Sequence, residues 1–456
     1  MRLQHKAKSG KAATFTLAVF IAMGAAITRH ADAGTLEPGS SEHFGTFNDV
    51  EYIRHTGRFT GVTAKGAFRM PYEIVAPVLP ALGNGTVLVE PPHNLLGLVG
   101  RDGILGRRLL FDRGFSYATV GFSENGLNIL EPGAADLLIA GEPAIFNDLP
   151  FARDTEILVQ FAEDLISDAV ATGILGPIQR RYAFGVSQTA GTGWLDAFYG
   201  PGAEGVFDFT LLFVTLWKPH FTVPDPPDVP EEFEPLAGIG KVIFVASEGD
   251  QFISESVMLR RAVVGPLAHP NYRLYEVAGA PHFALDPPFN PLDASVVARA
   301  AFIAGDEWVR FGAQPPPSAL LESSPAGVID PTYKAVLGID LVTGIARDDN
   351  GNARGGVRLP DVELGRALFL ASVPDFEIVP GLPGIVGLWF DLACEPAPGS
   401  TGDQPRFGNH GEYVSAVEAQ AEMLAAQRYL LPEEVGRLVS LAARSNVGRR
   451  GSCPTP

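Results

Sequence analysis

The chain reads as an α/β protein, a mainly parallel sheet with helices on both faces. Three observations predict this. Short apolar runs recur, such as Thr86–Glu90, Lys241–Ala246 and Tyr272–Val277; they are continuous rather than alternating, as strands buried on both faces are. Segments of helical spacing lie between such runs, among them Asp154–Ala171 and Ala294–Phe311, and strand alternating with helix is the pattern of parallel sheets. The chain has 456 residues, 46% apolar and 19% charged, which is room for a large core and too little charge for a disordered protein. Its 51 Gly and 38 Pro stay below the share typical of low-complexity chains. The formal charge of −18 argues against nucleic acid as a main partner, because phosphate binding needs a basic surface.

The elements follow in order. Met1–Lys11 carry Arg2, Lys6, Lys8 and Lys11 and no acid, Ala12–Ile27 is apolar, and Ala31-Asp32-Ala33 is a small-x-small triplet. Basic, apolar and small-residue regions in that order describe a secretory signal over residues 1–33. The apolar stretch is short for a membrane span, and no apolar run of that length follows it. The mature chain is therefore expected to be secreted or periplasmic, with no membrane span. In an oxidising compartment its only two cysteines, Cys394 and Cys453, are expected to form one disulfide tying down the C-terminal tail.

Asn48–Ala76 mixes β-formers with Gly and reads as two or three antiparallel strands. Thr86–Glu90 is a buried strand after the turn Gly83-Asn84-Gly85. Ile104–Asp112 reads as a helix ended by Gly114, Ser116–Gly121 as a strand, and Asp154–Ala171 as a helix. Arg181–Val186 is a strand with a helix after it, from Gln188 to about Tyr199. Thr210–Leu216, Lys241–Ala246 and Tyr272–Val277 are further strands, and Ala294–Phe311 is a helix. Pro219–Pro235, rich in proline and acids, reads as a surface excursion. From Gln314-Pro-Pro-Pro317 onward the chain turns to loops, then to two helices, one over about Glu412–Tyr429 and one starting at Pro432. Pro432, Glu433 and Glu434 supply good helix-start chemistry. The expected organisation is a core over 34–313 and a C-terminal lid or accessory segment over 314–456 packed on it.

The chemistry centres on Gly185-Val-Ser187-Gln-Thr-Ala-Gly191, between a strand and a helix. A serine on a sharp strand-to-helix turn projects from the sheet edge, and the helix N-terminus behind it offers backbone N–H groups to an oxyanion. The fifth position is Thr189 where such motifs usually carry Gly. A serine nucleophile on this type of sheet needs an acid and then a histidine, in that chain order. Glu248 and Asp250 follow the strand ending at Ala246, and Gly279-Ala-Pro-His282 follows the strand ending at Val277. Open α/β sheets place their sites at these carboxyl ends. His282 is thus the candidate base and Asp250 the candidate acid, since Gly249 lets the chain turn toward the histidine; Glu248 is the alternative acid. His220 and His269 sit in Pro-flanked loops and read as solvated. For the oxyanion, Gln188 supplies one donor. The second is expected after Thr86–Glu90, where Pro91-Pro92-His93-Asn94 stands; proline has no N–H, which leaves His93 or Asn94.

Other signals are weaker. Asp348-Asp-Asn-Gly-Asn352 resembles a calcium loop, but Ala353 and Leu359 stand where Gly and Glu are needed, so a surface turn is expected. Asn84-Gly-Thr86 fits a glycosylation sequon and equally a strand-opening turn. No phosphate-cradling Gly-Lys-Ser/Thr loop or His-Glu-x-x-His helix occurs in the sequence, and neither a cofactor nor a metal is expected.

With these residues in place, the chain resembles a bacterial family of "alpha/beta hydrolase domain" proteins, related in fold to esterases and lipases. The likeness runs from about Tyr72 to Arg444. It includes Asn84–Glu90, Gly185-Val-Ser-Gln188, Ser247-Glu248, Glu276–Gly279 ahead of His282, and Trp308 with Pro315–Ser318. Its most specific part is Asp349-Asn-Gly-Asn-Ala-Arg-Gly-Gly-Val-Arg-Leu-Pro360, and Tyr429-Leu-Leu-Pro-Glu433 also fits. The departures lie in Thr189-Ala-Gly191, where the family commonly has Ser-Gly-Arg, in His93-Asn94 for an expected Asn-Arg, and in Asp250 for a frequent Glu. The resemblance implies an α/β-hydrolase fold and a hydrolase without a defined substrate. Together the readings predict an exported serine hydrolase acting on small or polymeric carboxylic esters through Ser187, His282 and Asp250. An amidase or peptidase using the same residues, or a non-catalytic binding protein on the same fold, are the alternatives.

Overall fold

The structure is a computed structural model that describes residues 34–63, 66–92, 100–121, 155–190, 205–215, 240–253, 269–378, 384–396 and 406–449, with 198, 203 and 398. The leader, His93, Asn94, Pro219–Pro235 with His220, and Cys453 lie outside these residues. Of the helix expected from Gln188 to about Tyr199, Gln188–Ala190 is described as a 3-10 turn and Phe198 as helical.

One nine-stranded sheet organises the chain, in the order β1-β2-β3-β5-β4-β6-β7-β8-β9. Strands β1 (Thr35–Phe47), β2 (Val50–Thr63) and β3 (Gly66–Pro77) form an antiparallel ribbon that joins β5 (Ser116–Val120) antiparallel. From β5 the sheet runs parallel through β4 (Thr86–Glu90), β6 (Arg180–Ser187), β7 (Phe209–Thr215), β8 (Lys241–Ser247) and β9 (Tyr272–Val277). The period-2 alternation of strands sorts the parallel half into two cores. Tyr182, Phe184, Leu211, Ile243, Val245, Tyr275 and Val277 enter one, and Ala183, Leu212, Val242, Phe244 and Leu274 the other.

Helices cover both faces. Helix α1 (Arg107–Phe111) and the long α4 (Ser295–Phe311) bury Leu110, Val297 and Phe302 in the first core, while α2 (Thr155–Asp164) buries Ile157, Leu158 and Phe161 in the second. The helix expected over Ile104–Asp112 is cut at Gly106, whose φ of 83° no α-helix accommodates; a π turn, Arg101–Leu105, precedes the break. Likewise α2 ends at Asp164, with a π turn over Leu165–Ala169. The two side chains that close this region face the start of β1: Asp164 Oδ2 accepts the Gly34 N–H at 2.7 Å and Asp168 Oδ2 the Leu36 N–H at 3.2 Å.

The C-terminal residues extend the sheet past β9, through parallel bridges Tyr275–Ala319 and Val277–Val357. Leu321, Ile345, Val357, Val362 and Phe369 share the first core with Val277, so this part of the chain is continuous with the packing of the sheet. Three short elements follow: α5 (Pro331–Leu337), α6 (Pro360–Glu363) and the ribbon of β10 (Ala367–Leu370) with β11 (Leu388–Asp391). Helices α7 (His410–Ala426) and α8 (Pro432–Arg444) close the chain. They bring Leu424 and Leu431 to the same core, and Glu434 of α8 pairs with Arg299 of α4 at 2.6 Å. Among the described residues no helix is long and apolar enough to cross a membrane.

Candidate active site

Ser187 ends β6 with a φ of 54°, a left-handed conformation that costs a non-glycine residue energy and that cores retain chiefly where a side chain must be aimed. Two neighbours make the turn. A Cβ at Gly185 would lie 2.6 Å from the Thr189 carbonyl oxygen, so only glycine fits there. Buried Thr189 then closes the loop on Val186, accepting its N–H at 2.9 Å and donating to its carbonyl at 3.0 Å. The residue that departs from the usual motif thus has its own hydrogen-bonding role in the turn, which its sequence position did not reveal.

The side chains expected to act together meet. Ser187 Oγ lies 2.9 Å from His282 Nε2, and His282 Nδ1 lies 2.7 Å from Asp250 Oδ1. With the Nδ1–H donated to the carboxylate, Nε2 is left as the acceptor for the serine hydroxyl. Asp250 is completely buried and starts the short helix α3 (Asp250–Ile253). Its second oxygen accepts the Ser247 N–H at 2.9 Å, and its own N–H donates to Ser247 Oγ at 3.1 Å. The turn into α3 passes Gly249, where a Cβ would stand 2.7 Å from the His282 nitrogen and 2.9 Å from the Ala371 carbonyl; the acid and base loops approach too closely for any side chain between them.

Glu248, the alternative acid, is also fully buried but faces elsewhere. One oxygen accepts the Gly279 N–H at 2.7 Å and the other is paired with Arg347 at 2.6 Å. Asn290 was not anticipated. It is buried and donates to the carbonyls of Gly279 at 2.7 Å and Leu370 at 3.1 Å, fastening the loop that carries His282. His269 is half-buried and accepts the Asn271 N–H at 3.2 Å, outside this group.

At the carboxyl end of β4 lies a second buried polar group. Glu90 accepts the N–H groups of Gly100 and Arg101 and the Tyr117 hydroxyl, the last at 2.9 Å, while Arg101 pairs with Glu73. Burial pushes the Glu90 carboxyl up to about 7, against the pull of these donors. The calcium-like turn is spoken for as well: Asp348 accepts the N–H groups of Asn350 and Asn352 and pairs with Arg358 at 2.7 Å. Asn84 binds the Thr86 N–H and the Arg113 carbonyl, as the turn reading requires. Cys394 is half-buried, and its expected partner is outside the described residues.

A parallel sheet with a strained serine after one strand, and an acid and a histidine after two later ones, is the arrangement of the α/β hydrolases. A family profile described as "Alpha/beta hydrolase domain" matches residues 58–440. The chain belongs to that family and is a hydrolase by descent. No curated protein matches it by sequence. Among solved structures it is similar to a cold-adapted esterase from an Arctic intertidal metagenomic library, 13% identical over 52% of this chain and 87% of that one, with a TM-score of 0.30. It is also similar to esterase Est22, 12% identical over 54% and 72%, with a TM-score of 0.32. One structure from a study of two prolyl endopeptidases is similar too, at 13% identity over 53% of this chain and 42% of that one, TM-score 0.29.

Proposed function

We propose that the protein is an exported serine hydrolase that cleaves carboxylic esters through an acyl-enzyme. The observation that carries this is the chain of hydrogen bonds from Ser187 Oγ through the His282 imidazole to Asp250. Ser187 attacks the ester carbonyl while His282 takes its proton, and Asp250 holds the imidazole in the tautomer that leaves Nε2 free to do so. The imidazolium then protonates the departing alcohol. Water, deprotonated by the same imidazole, releases the acid and restores the serine. The Gln188 N–H and a donor at His93 or Asn94 are assigned to the oxyanion. Labelling with a fluorophosphonate, together with turnover of p-nitrophenyl esters and matched anilides, tests the reading. Stoichiometric label on Ser187 and preference for esters support it. An inert serine favours a binding protein, and faster anilide cleavage favours an amidase.

Export and the disulfide belong to the same proposal. Mature protein should begin at Gly34, and an unreduced digest should contain a peptide pair joined through Cys394 and Cys453. A bond closing a loop of that length contributes about 4 kcal/mol in the chain-entropy account. Two thiols open to alkylation in the native protein would remove it.

A further inference from the structure

Behind the Asp250 turn lies a buried ionic group that the proposed reaction does not use. Arg347 is paired with Glu248 at 2.6 Å and with Asp330 at 2.8 Å, the three side chains being 3%, 0% and 0% exposed. The Arg347 guanidinium also lies over the Tyr333 ring, 5.6 Å from its centre. Asp330 has a second task. Its Oδ1 caps α5 by accepting the N–H groups of Thr332 at 2.9 Å and Tyr333 at 3.3 Å, and its Oδ2 accepts the Thr343 hydroxyl at 2.6 Å. Tyr333 in turn donates to the Ser372 carbonyl at 3.0 Å, next to Ala371, whose own carbonyl closes on Gly249.

Two ends of this group reach the site. Glu248 precedes Asp250 by two residues, and its free oxygen holds the N–H of Gly279, three residues before His282. One carboxylate therefore spans the turns that carry the acid and the base. Buried ions are costly to desolvate, and apolar side chains of similar size often serve stability as well. What the charges supply here is direction: the guanidinium fixes where the Glu248 carboxylate lies, and the carboxylate fixes the gap between the two turns.

We propose that Arg347 is a positioning residue for the Ser187 reaction, acting through Glu248 to set the Asp250–His282 spacing. The proposal rests on the Ser187–His282–Asp250 reading. It gives the residues after 314 a role in turnover from behind the site, apart from any contact with substrate. Its effect belongs to the chemical step, since neither Arg347 nor Glu248 touches the serine.

The test uses Arg347→Met, Arg347→Lys and Glu248→Gln in the full mature chain, with p-nitrophenyl butyrate as substrate. Turnover is expressed per reactive serine, counted by fluorophosphonate titration, so that misfolded protein drops out of the ratio. Arg347→Met should lower kcat about 10- to 100-fold with KM within twofold of wild type. Glu248→Gln, which keeps an acceptor for Gly279 and loses the charge, should lower kcat about tenfold. Arg347→Lys should recover part of the loss. Wild-type kcat per titrated serine in both Arg347→Met and Glu248→Gln overturns the proposal, as does a loss confined to KM. Should Arg347→Met yield no titratable protein, Glu248→Gln and Arg347→Lys decide by the same criteria. A wild-type protein that neither turns over the ester nor labels at Ser187 overturns the parent reading instead, which keeps the two failures apart.

Discussion

The carboxyl ends of β8 and β9 and the carboxyl end of β4 lie on one edge of one sheet, and both bury carboxylates. They satisfy them differently. Beyond β8, Asp250 has an imidazole and a backbone N–H, and Glu248 has a guanidinium and a backbone N–H. Beyond β4, Glu90 meets two backbone N–H groups and a phenol, while the nearby Arg101 is directed to Glu73 and Asp102. The first pair of acids each meets a side chain able to carry positive charge, an imidazole or a guanidinium. Glu90 has mainly neutral donors, and burial outweighs them and the nearby Arg101 charge, pushing its carboxyl up to about 7. In the proposed reaction the first group would steady the imidazolium that forms on His282, while the second ties the N–H groups of Gly100 and Arg101 to the end of β4.

The largest break in this comparison is Ser187→Ala, expected to lower ester turnover by roughly 10⁵–10⁶ while leaving the melting temperature near wild type. Ester turnover close to wild type in the folded variant would remove the serine from the reaction. Next comes the contrast between the two acids after β8. Asp250→Asn should lower turnover about 10⁴-fold, since an amide of the same shape favours the wrong imidazole tautomer, against the tenfold expected of Glu248→Gln. Reversed magnitudes would make Glu248 the acid.

Thr189→Val tests the turn rather than the relay. It leaves the Val186 N–H without its acceptor, a loss of about 1–3 kcal/mol in unfolding free energy measurable by urea denaturation. An unchanged midpoint would mean that another group replaces the hydroxyl.

The last effect, read from pH alone, lies at β4. Below the usual glutamate value of 4.5, Glu90 is protonated whether folded or unfolded. Between 4.5 and about 7 the unfolded chain ionises first, so the folded state loses stability as pH rises and levels off above that range. Glu90→Gln should abolish this part of the slope, seen as a flatter melting temperature between pH 5 and 8. A variant with the wild-type slope would place the titrating group elsewhere.

Much of the parallel half was legible because its strands are buried on both faces. Thr86–Glu90 and Tyr272–Val277 coincide with β4 and β9, and Lys241–Ala246 with all but the last residue of β8. Strand β1 was not, since most of Thr35–Phe47 is exposed and its Gly, Ser and Pro residues carry no alternation. Ser187, Asp250 and His282 could be chosen because each follows an apolar run, and position relative to a strand end is written locally. Arg347 and Asn290 could not. Arg347 is 99 residues from the Glu248 it pairs with, and Asn290 is 80 from Leu370; nothing in either neighbourhood marks the partner. The same holds for Glu90, whose burial depends on residues brought together only by the sheet.

The contact between Gly34 and Asp164 changes character if the leader is cut after Ala33, as proposed. With the leader attached, Gly34 offers Asp164 a neutral amide. Burial and the charges of Asp168 and Glu163 then push that carboxyl up to about 6, so the folded chain is weakened as pH rises from 3.8 toward 6. Cleavage would replace the amide by an ammonium group at the same place, which favours the carboxylate and draws its titration back down, so that less stability is lost as pH rises. Such processing would convert a neutral clasp into a charged one. Protein beginning at Gly34 should melt higher at pH 7 than protein carrying one extra residue ahead of it, with the difference closing by pH 4. Equal melting at both pH values would mean that the new terminus turns away from Asp164.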